Sequence, residues 1–89
     1  MKEGSTKLME FPCAFAIKAI GRVGDNFVDL ATDIVRRHAS DLSEVQVKVR
    51  QSSGGKWVAV TLIIQAKSQE QLDAIYRDLS GNERVAWAL

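Results

Sequence analysis

The sequence is poor in the residues that build metal sites and covalent cross-links, with one cysteine, one histidine and one proline in 89 residues. One cysteine excludes an internal disulfide, and Cys13 with His38 falls short of the about four ligands that a structural zinc site needs. We therefore expect no metal and no other cofactor. A cysteine-poor chain is typical of reducing compartments, so the sequence favours a cytoplasmic location.

Long apolar runs and an excess of one charge are also missing. No run approaches the ~20 apolar residues that cross a bilayer, so a membrane is not an expected partner. Twelve basic and eleven acidic side chains leave a formal net charge of +1, which gives no global field to attract nucleic acid or anionic lipid. Residues 1–9 are polar without periodicity and are predicted to form a flexible leader, followed by a single domain over residues 10–89.

Regular periodicity is what the sequence does contain. Segments that alternate apolar and polar positions predict strands, and segments with apolar stripes at three- and four-residue spacing predict helices. Ser68 and Gln71 form a capping box before the second helix. Asp25 or Asn26 is expected to cap the first helix, and Asn26 with Asp29 forms a pair similar to a capping box. The predicted order is strand 14–21, helix 25–39, strand 44–51, strand 56–66, helix 68–80 and strand 83–89.

This order predicts an α+β fold of the ferredoxin-like βαββαβ type, also called an alpha-beta plait. The first and third strands are apolar on both faces, which places them centrally in an antiparallel sheet of order 4-1-3-2 with both helices on one face. In the last strand, alternation assigns Val85, Trp87 and Leu89 to one face. The expected core consists of Phe15, Ile17, Phe27, Leu30, Ile34, Val47, Val60, Leu62, Leu72, Ile75, Leu79 and Val85.

Cys13 and His38 are the candidate pair for nucleophilic chemistry, because the first helix should end near the start of the first strand. A thiol beside an imidazole is a minimal activated nucleophile. The sequence offers no third group to orient the imidazole, and a histidine at stripe spacing is more often a packing residue. We therefore assign no catalytic residue and predict that the protein is not an enzyme.

The connection between the first strand and the first helix is the candidate ligand site. Gly21, Gly24, Asp25 and Asn26 combine a permissive backbone with hydrogen-bonding side chains, and free amides at a helix start favour anions. Glycine and aspartate are also what a tight strand-to-helix turn requires. A turn with a helix cap therefore remains the alternative interpretation of these residues.

The second strand is the candidate partner edge. Its valines alternate with polar and basic residues, which predicts that the valine face is buried, that the other face is solvated and that the strand lies at the side of the sheet. Such an edge can accept another strand, although its charges can equally prevent pairing. The residues concerned are Val45, Val47, Lys48, Val49 and Arg50.

The sheet face opposite the helices is the last candidate surface. It should be polar and basic, with Trp57 at its rim. RNA-recognition domains of the same topology stack bases on outward aromatic residues of their central strands. That aromatic pair is missing from the predicted face, so nucleic acid is not the expected partner.

Four stretches together resemble a known family. They are E-F-P-x-x-F-x-I-K-x-I-G from Glu10 to Gly21, V-x-x-H-A from Val35 to Ala39, the loop from Ser52 to Gly55 and V-x-x-x-L from Val85 to Leu89. In order, spacing and total length they are similar to the YbeD family of small uncharacterised bacterial proteins, sometimes labelled lipoate regulatory proteins. The resemblance implies a fold like that of ACT domains, the amino-acid-sensing regulatory modules of many metabolic enzymes.

The leading functional hypothesis is a small non-enzymatic regulatory module that binds a small effector or a partner protein. The resemblance implies a link to lipoate metabolism. Two alternatives remain open, since one fold hosts many functions: a protein-interaction adaptor that uses the edge strand, and a weak RNA-binding domain on the open sheet face. The chain is expected to be a monomer or a weak homodimer.

Overall fold

The computed structural model describes residues 10–24, 26–42, 46–52 and 54–89. The predicted leader lies outside the described residues. The elements are β1 (Cys13–Arg22), α1 (Phe27–Arg36), β2 (Val47–Gln51), β3 (Trp57–Ala66), α2 (Gln69–Ser80) and β4 (Val85–Ala88). Within the described residues, no helix is long and apolar enough to cross a membrane.

In the described part of the chain, four strands form one antiparallel sheet in the order β2-β3-β1-β4. β1 and β3 pair along their full lengths, from Cys13 opposite Ala66 to Arg22 opposite Trp57. β2 pairs with the outer side of β3, and β4 pairs with the outer side of β1. The predicted α+β class, the βαββαβ order and the central position of the first and third strands are confirmed.

The core lies between the sheet and the two helices. Every second residue of β3 is buried, from Val58 to Ala66, because alternate strand positions point to one face. The helices meet this face with apolar stripes at helical spacing. The stripe of α1 contains Phe27, Ala31, Ile34 and Val35, and that of α2 contains Leu72, Ile75 and Leu79.

Four apolar residues are less buried than the sequence predicted. Phe15, Leu30 and Val47 were expected in the core but are only partly buried and pack against it. Val49 was expected on a buried face, yet its side chain is 50% exposed. The helices pack mainly on β1, β3 and β4, so the valines of the edge strand β2 are only partly covered.

The two helices begin differently. At α2 the predicted cap is present, because the backbone N–H of Gln71 donates to Ser68 Oγ at 3.1 Å. At α1 the predicted cap by Asn26 is wrong. Asn26 occupies the N-cap position in the left-handed conformation, with φ 56° and ψ 44°, and its side chain makes no capping hydrogen bond. A side-chain cap requires an extended backbone at the N-cap residue.

A β-bulge in β4 changes which face its side chains occupy. Gly21 lies opposite Val85, whereas the preceding residue Ile20 lies opposite Trp87, so Ala86 is the extra residue. Val85 therefore points into the core, and Trp87 points to the face opposite the helices, where it is 54% exposed. The predicted alternation that placed Val85 and Trp87 on one face is wrong at this position.

We predict that Ile34→Ala lowers the free energy of unfolding by about 2–5 kcal/mol, because it leaves a cavity in a packed site. Ile34 is 1% exposed and lies in the centre of the α1 stripe. Val49→Ala is the control, since half of that side chain is already in water, and it should change stability by less than about 1 kcal/mol. Urea unfolding followed by circular dichroism measures both. Equal losses would contradict the assigned burial.

Candidate functional site

Gly21, the first predicted ligand residue, has a structural role in the fold. It is buried in β1, and a Cβ atom at this position would overlap the ring of Phe27. Glycine is therefore required here by the packing of the first helical residue against the strand. The close approach explains this glycine without any ligand.

The connection after β1 has an unusual backbone. Gly24 has φ 107° and Asn26 has φ 56°, so both are left-handed and Gly24 is in a region that side chains rarely adopt. The backbone N–H of Val23 donates to the carbonyl of Lys56 at 3.0 Å, which ties the connection to the start of β3. Asp25 lies outside the described residues.

A cleft of about 280 Å³ opens between this connection and the edge strand β2. We call it the edge cleft. It brings together residues of the two predicted sites, Gly24 and Asn26 from the connection and Val49 from the edge. Its lining residues are Val23, Gly24, Asn26, Phe27, Val28, Asp29, Val49, Gln51 and Val58.

The other residues of the predicted edge lie elsewhere. Val45 is outside the described residues, and Val47 is partly buried against the core. Lys48 pairs with Thr61 and Arg50 with Ala59. Directly paired residues share a face of the sheet, so both basic side chains point to the face opposite the helices and not into the edge cleft.

The lining of the edge cleft is mostly apolar with a few polar groups. Valine side chains and the Phe27 ring form its walls, while Asn26 and Gln51 supply amide groups and Asp29 supplies a carboxylate. Sites for small molecules typically combine an apolar wall with a small number of polar groups that fix orientation. The arrangement suits a small amphipathic molecule with an aliphatic part.

His38 has a partner that the sequence did not reveal. Its Nε2 atom lies 2.6 Å from Asp78 Oδ2, and the imidazole N–H donates to the carboxylate. This hydrogen bond from His38, opposed by partial desolvation, lowers the pKa of Asp78 below its usual value of 3.8. The carbonyl of His38 also accepts from Gln71 Nε2 at 2.7 Å. The contacts join the end of α1 to α2, which is the structural role expected of a histidine on an apolar stripe.

Two tryptophans on the open sheet face are functional candidates, and sequence reasoning placed only Trp57 there and missed Trp87. The rings of Trp57 and Trp87 have centroids 5.3 Å apart at an angle of 57°. The Arg22 guanidinium lies 5.4 Å from the Trp57 ring centroid. Only the bulge at Ala86 brings the second ring to this face, and a one-residue bulge leaves no reliable signal in a short strand.

Comparison with known proteins places the chain among bacterial proteins without a described activity. A family described as a protein of unknown function (DUF493) matches residues 6–89. A UPF0250 protein of Chromobacterium violaceum is 44% identical over 89 residues, which cover all of both chains. A UPF0250 protein of Pseudomonas paraeruginosa is 44% identical over 82 residues, covering 91% of this chain and 88% of the other. A UPF0250 protein of Neisseria meningitidis is 39% identical over 84 residues, covering 94% of this chain and 92% of the other.

We predict that Asp78→Asn destabilises the protein at pH 6 and that this loss disappears in acid. The folded pKa of Asp78 is below 3.8, so its ionised form contributes stability that is present above about pH 4 and lost as the pH falls through the folded pKa. Urea unfolding of wild type and variant at pH 6 and pH 2.5 measures the difference. The exposed Asp33→Asn on α1 is the control. A difference that persists unchanged at pH 2.5 would contradict this assignment.

We predict that Cys13 reacts with a thiol probe at pH 7 no faster than a model thiol. Its side chain is partly buried against the core, and the candidate base His38 is hydrogen-bonded to Asp78. A reactive cysteine needs an exposed position and an activating neighbour. Stopped-flow labelling with a disulfide reagent gives the rate. Fast labelling that His38→Ala abolishes would show that the two residues act together.

Proposed function

We propose that the chain, which belongs to the DUF493 family of proteins of unknown function, is a small regulatory module that binds a small effector and performs no catalysis. Its membership confirms the predicted resemblance to small bacterial proteins of the YbeD type. The names of these relatives give no activity. Support for an effector therefore comes from the edge cleft, where the glycine-bearing connection and the exposed edge strand meet.

The edge cleft suits an effector with an aliphatic part of a few carbons. Val23, Val28 and Val49 offer apolar contact, and Val49 is half exposed. Covering such surface is favourable by roughly 25 cal/mol per Å². The polar end of the effector would meet the amides of Asn26 and Gln51. Asp29 nearby favours a neutral or cationic end group over a carboxylate.

A non-catalytic role is supported by the chemistry of the described residues. Among the residues that the structure describes, the lining of the edge cleft contains neither cysteine nor histidine, and Asp29 is its one ionisable side chain. Nucleophilic catalysis needs a nucleophile with a base in reach. Among the described residues there is also no group of three or more potential metal ligands. We therefore assign the chain a binding role. Its single cysteine favours a location in the cytoplasm.

A protein-interaction adaptor is the second candidate, and one observation favours it. Within the described part of the chain, β2 is paired on one side only, and Val49 in this strand is 50% exposed. A partner segment that pairs with this edge would cover Val49 and gain main-chain hydrogen bonds. A second copy of the chain would form a weak homodimer in the same way. Effector and partner would then compete for the edge cleft.

We predict that small amphipathic molecules perturb the amide signals of the edge cleft in two-dimensional NMR spectra. The probes are lipoamide, lipoate and leucine, which share an aliphatic part and differ in the charge of the polar end. Shifts should gather at Gly24, Asn26, Val28 and Val49. Lipoamide should bind more tightly than lipoate, because the Asp29 carboxylate opposes a second carboxylate.

Two variants of the edge strand test the assignment. Val49→Asp places a charge on the wall of the edge cleft and should weaken binding of the best probe by about tenfold or more, in line with the loss of one valine contact. Lys48→Asp puts the same side chain on the same strand but on the other face, and should leave binding unchanged. Shifts confined to Lys18, Trp57 and Trp87 would contradict this site. No response to any probe would exclude these three ligand classes.

A further inference from the structure

The open sheet face carries an exposed aromatic platform. Trp57 and Trp87 lie side by side at 5.3 Å, and Arg22 lies over Trp57. Trp87 is 54% exposed and Leu89, opposite Lys18, is 66% exposed. Exposed apolar residues that lie together, unlike those scattered singly, often mark a binding surface.

Basic side chains surround this platform in a regular pattern. The sheet register puts Ile20 and Ala59 between Trp87 and Arg50, in a row across all four strands. The next row contains Lys18, Thr61 and Lys48. Neighbouring strands lie about 4.8 Å apart, so the basic side chains of these rows lie no more than three strand spacings from the tryptophans.

Charge is segregated between the two layers of the molecule, although the net charge is close to zero. Within the described strands every charged residue is basic: Lys18, Arg22, Lys48 and Arg50. The helices carry mostly acids: Asp29, Asp33, Glu70, Asp73 and Asp78, with Arg36 and Arg77 as their basic residues. Glu83, in the loop before β4, is the acid that lines a cavity beside Trp57. The described strands therefore present only cations to the open face, whereas acids outnumber bases within the helices.

A cavity lies beside the platform. It measures about 260 Å³ and is lined by Ile20, Arg50, Gln51, Ser52, Trp57 and Ala59. Ala59 follows Trp57 by two residues on β3 and is paired with Arg50, so its small side chain leaves space next to both. An aromatic ring in this cavity would lie near the Trp57 indole and the Arg50 guanidinium, and both groups stack on nucleobases.

We propose that the open sheet face binds single-stranded nucleic acid. Bases stack on Trp57 and Trp87, and the phosphates are neutralised by Lys18, Arg22, Lys48 and Arg50. Single-strand binders combine these two elements, a positive groove and aromatic rings. An acidic peptide would satisfy the cations but would leave the two rings without planar partners. The site lies on the opposite face of the sheet from the edge cleft and does not depend on an effector.

The two tryptophans of the chain are both in this site, so intrinsic fluorescence reports directly on it. The probe is a 12-nucleotide single-stranded RNA of mixed sequence, compared with the single-stranded and double-stranded DNA of the same sequence. Both single strands should quench tryptophan fluorescence as bases stack. The duplex should quench it much less, because its bases are already stacked on one another.

Salt dependence and substitutions test the two elements separately, with affinity measured by fluorescence anisotropy of labelled RNA. With roughly three or four phosphates neutralised, a rise in salt from 50 to 200 mM should weaken binding roughly 20- to 50-fold. Lys18→Gln should reduce the slope of log K against log salt by about 0.7. Arg77→Gln on α2 removes the same charge from the helical face and should change neither affinity nor slope.

Trp87→Leu removes one aromatic ring and should weaken RNA binding by about 5- to 150-fold. Trp87→Phe keeps a smaller ring and should retain part of the affinity. Cooperative urea unfolding confirms that each variant folds. Should the leucine variant fail to fold, Lys18→Gln and Trp87→Phe still decide the question. Absence of binding at 50 mM salt would overturn the proposal. So would equal quenching by duplex DNA, or tighter binding and quenching by poly-aspartate, which would reassign the face to an acidic protein partner.

Discussion

The antiparallel ladder between β1 and β3 is the interaction on which the rest of the structure depends. It pairs Cys13–Arg22 with Trp57–Ala66 without interruption, and every other element is attached to one of these two strands. One face of the ladder supports the core through Ile17, Val60 and Leu62. The other face carries Lys18 and Trp57. Because directly paired residues share a face, this single register determines which side chains meet on both surfaces.

The sequence was sufficient to predict the parts of the fold that this ladder specifies. Both strands are long and apolar on their two faces, which is the pattern of central strands. The apolar residues of α1 and of α2 recur at helical spacing, and each stripe is buried when its helix packs on the sheet. Both helices pack on the same face of the sheet. Of the predicted site, Gly24, Asn26 and Val49 do line one cleft, because the connection after β1 and the edge strand β2 lie at the same end of the sheet.

The parts that could not be predicted depend on local geometry or on contacts distant in sequence. Asn26 is of a residue type that often caps helices, but its backbone is left-handed and its side chain makes no capping hydrogen bond. Asp78 lies on α2, forty residues after its partner His38, and no spacing rule connects them. Gly21 has the appearance of a flexible loop residue, whereas its lack of a side chain accommodates Phe27. In each case the residue type permits several roles and only the three-dimensional neighbours select one.

The bulge at Ala86 has the largest consequence for the proposed nucleic-acid site, because one extra residue moves an indole from one side of the sheet to the other. With strict alternation from Val85, Trp87 would lie against the helices and the open face would carry Trp57 alone. The bulge instead pairs Trp87 with Ile20 and brings the rings together. Neither the amino-acid composition nor the net charge of +1 predicts that the two rings meet on one face. Binding of a ligand depends on the charges of the surface that contacts it and not on the net charge of the chain. On the open sheet face, the charged residues of the described strands are all basic, and they lie beside two aromatic rings.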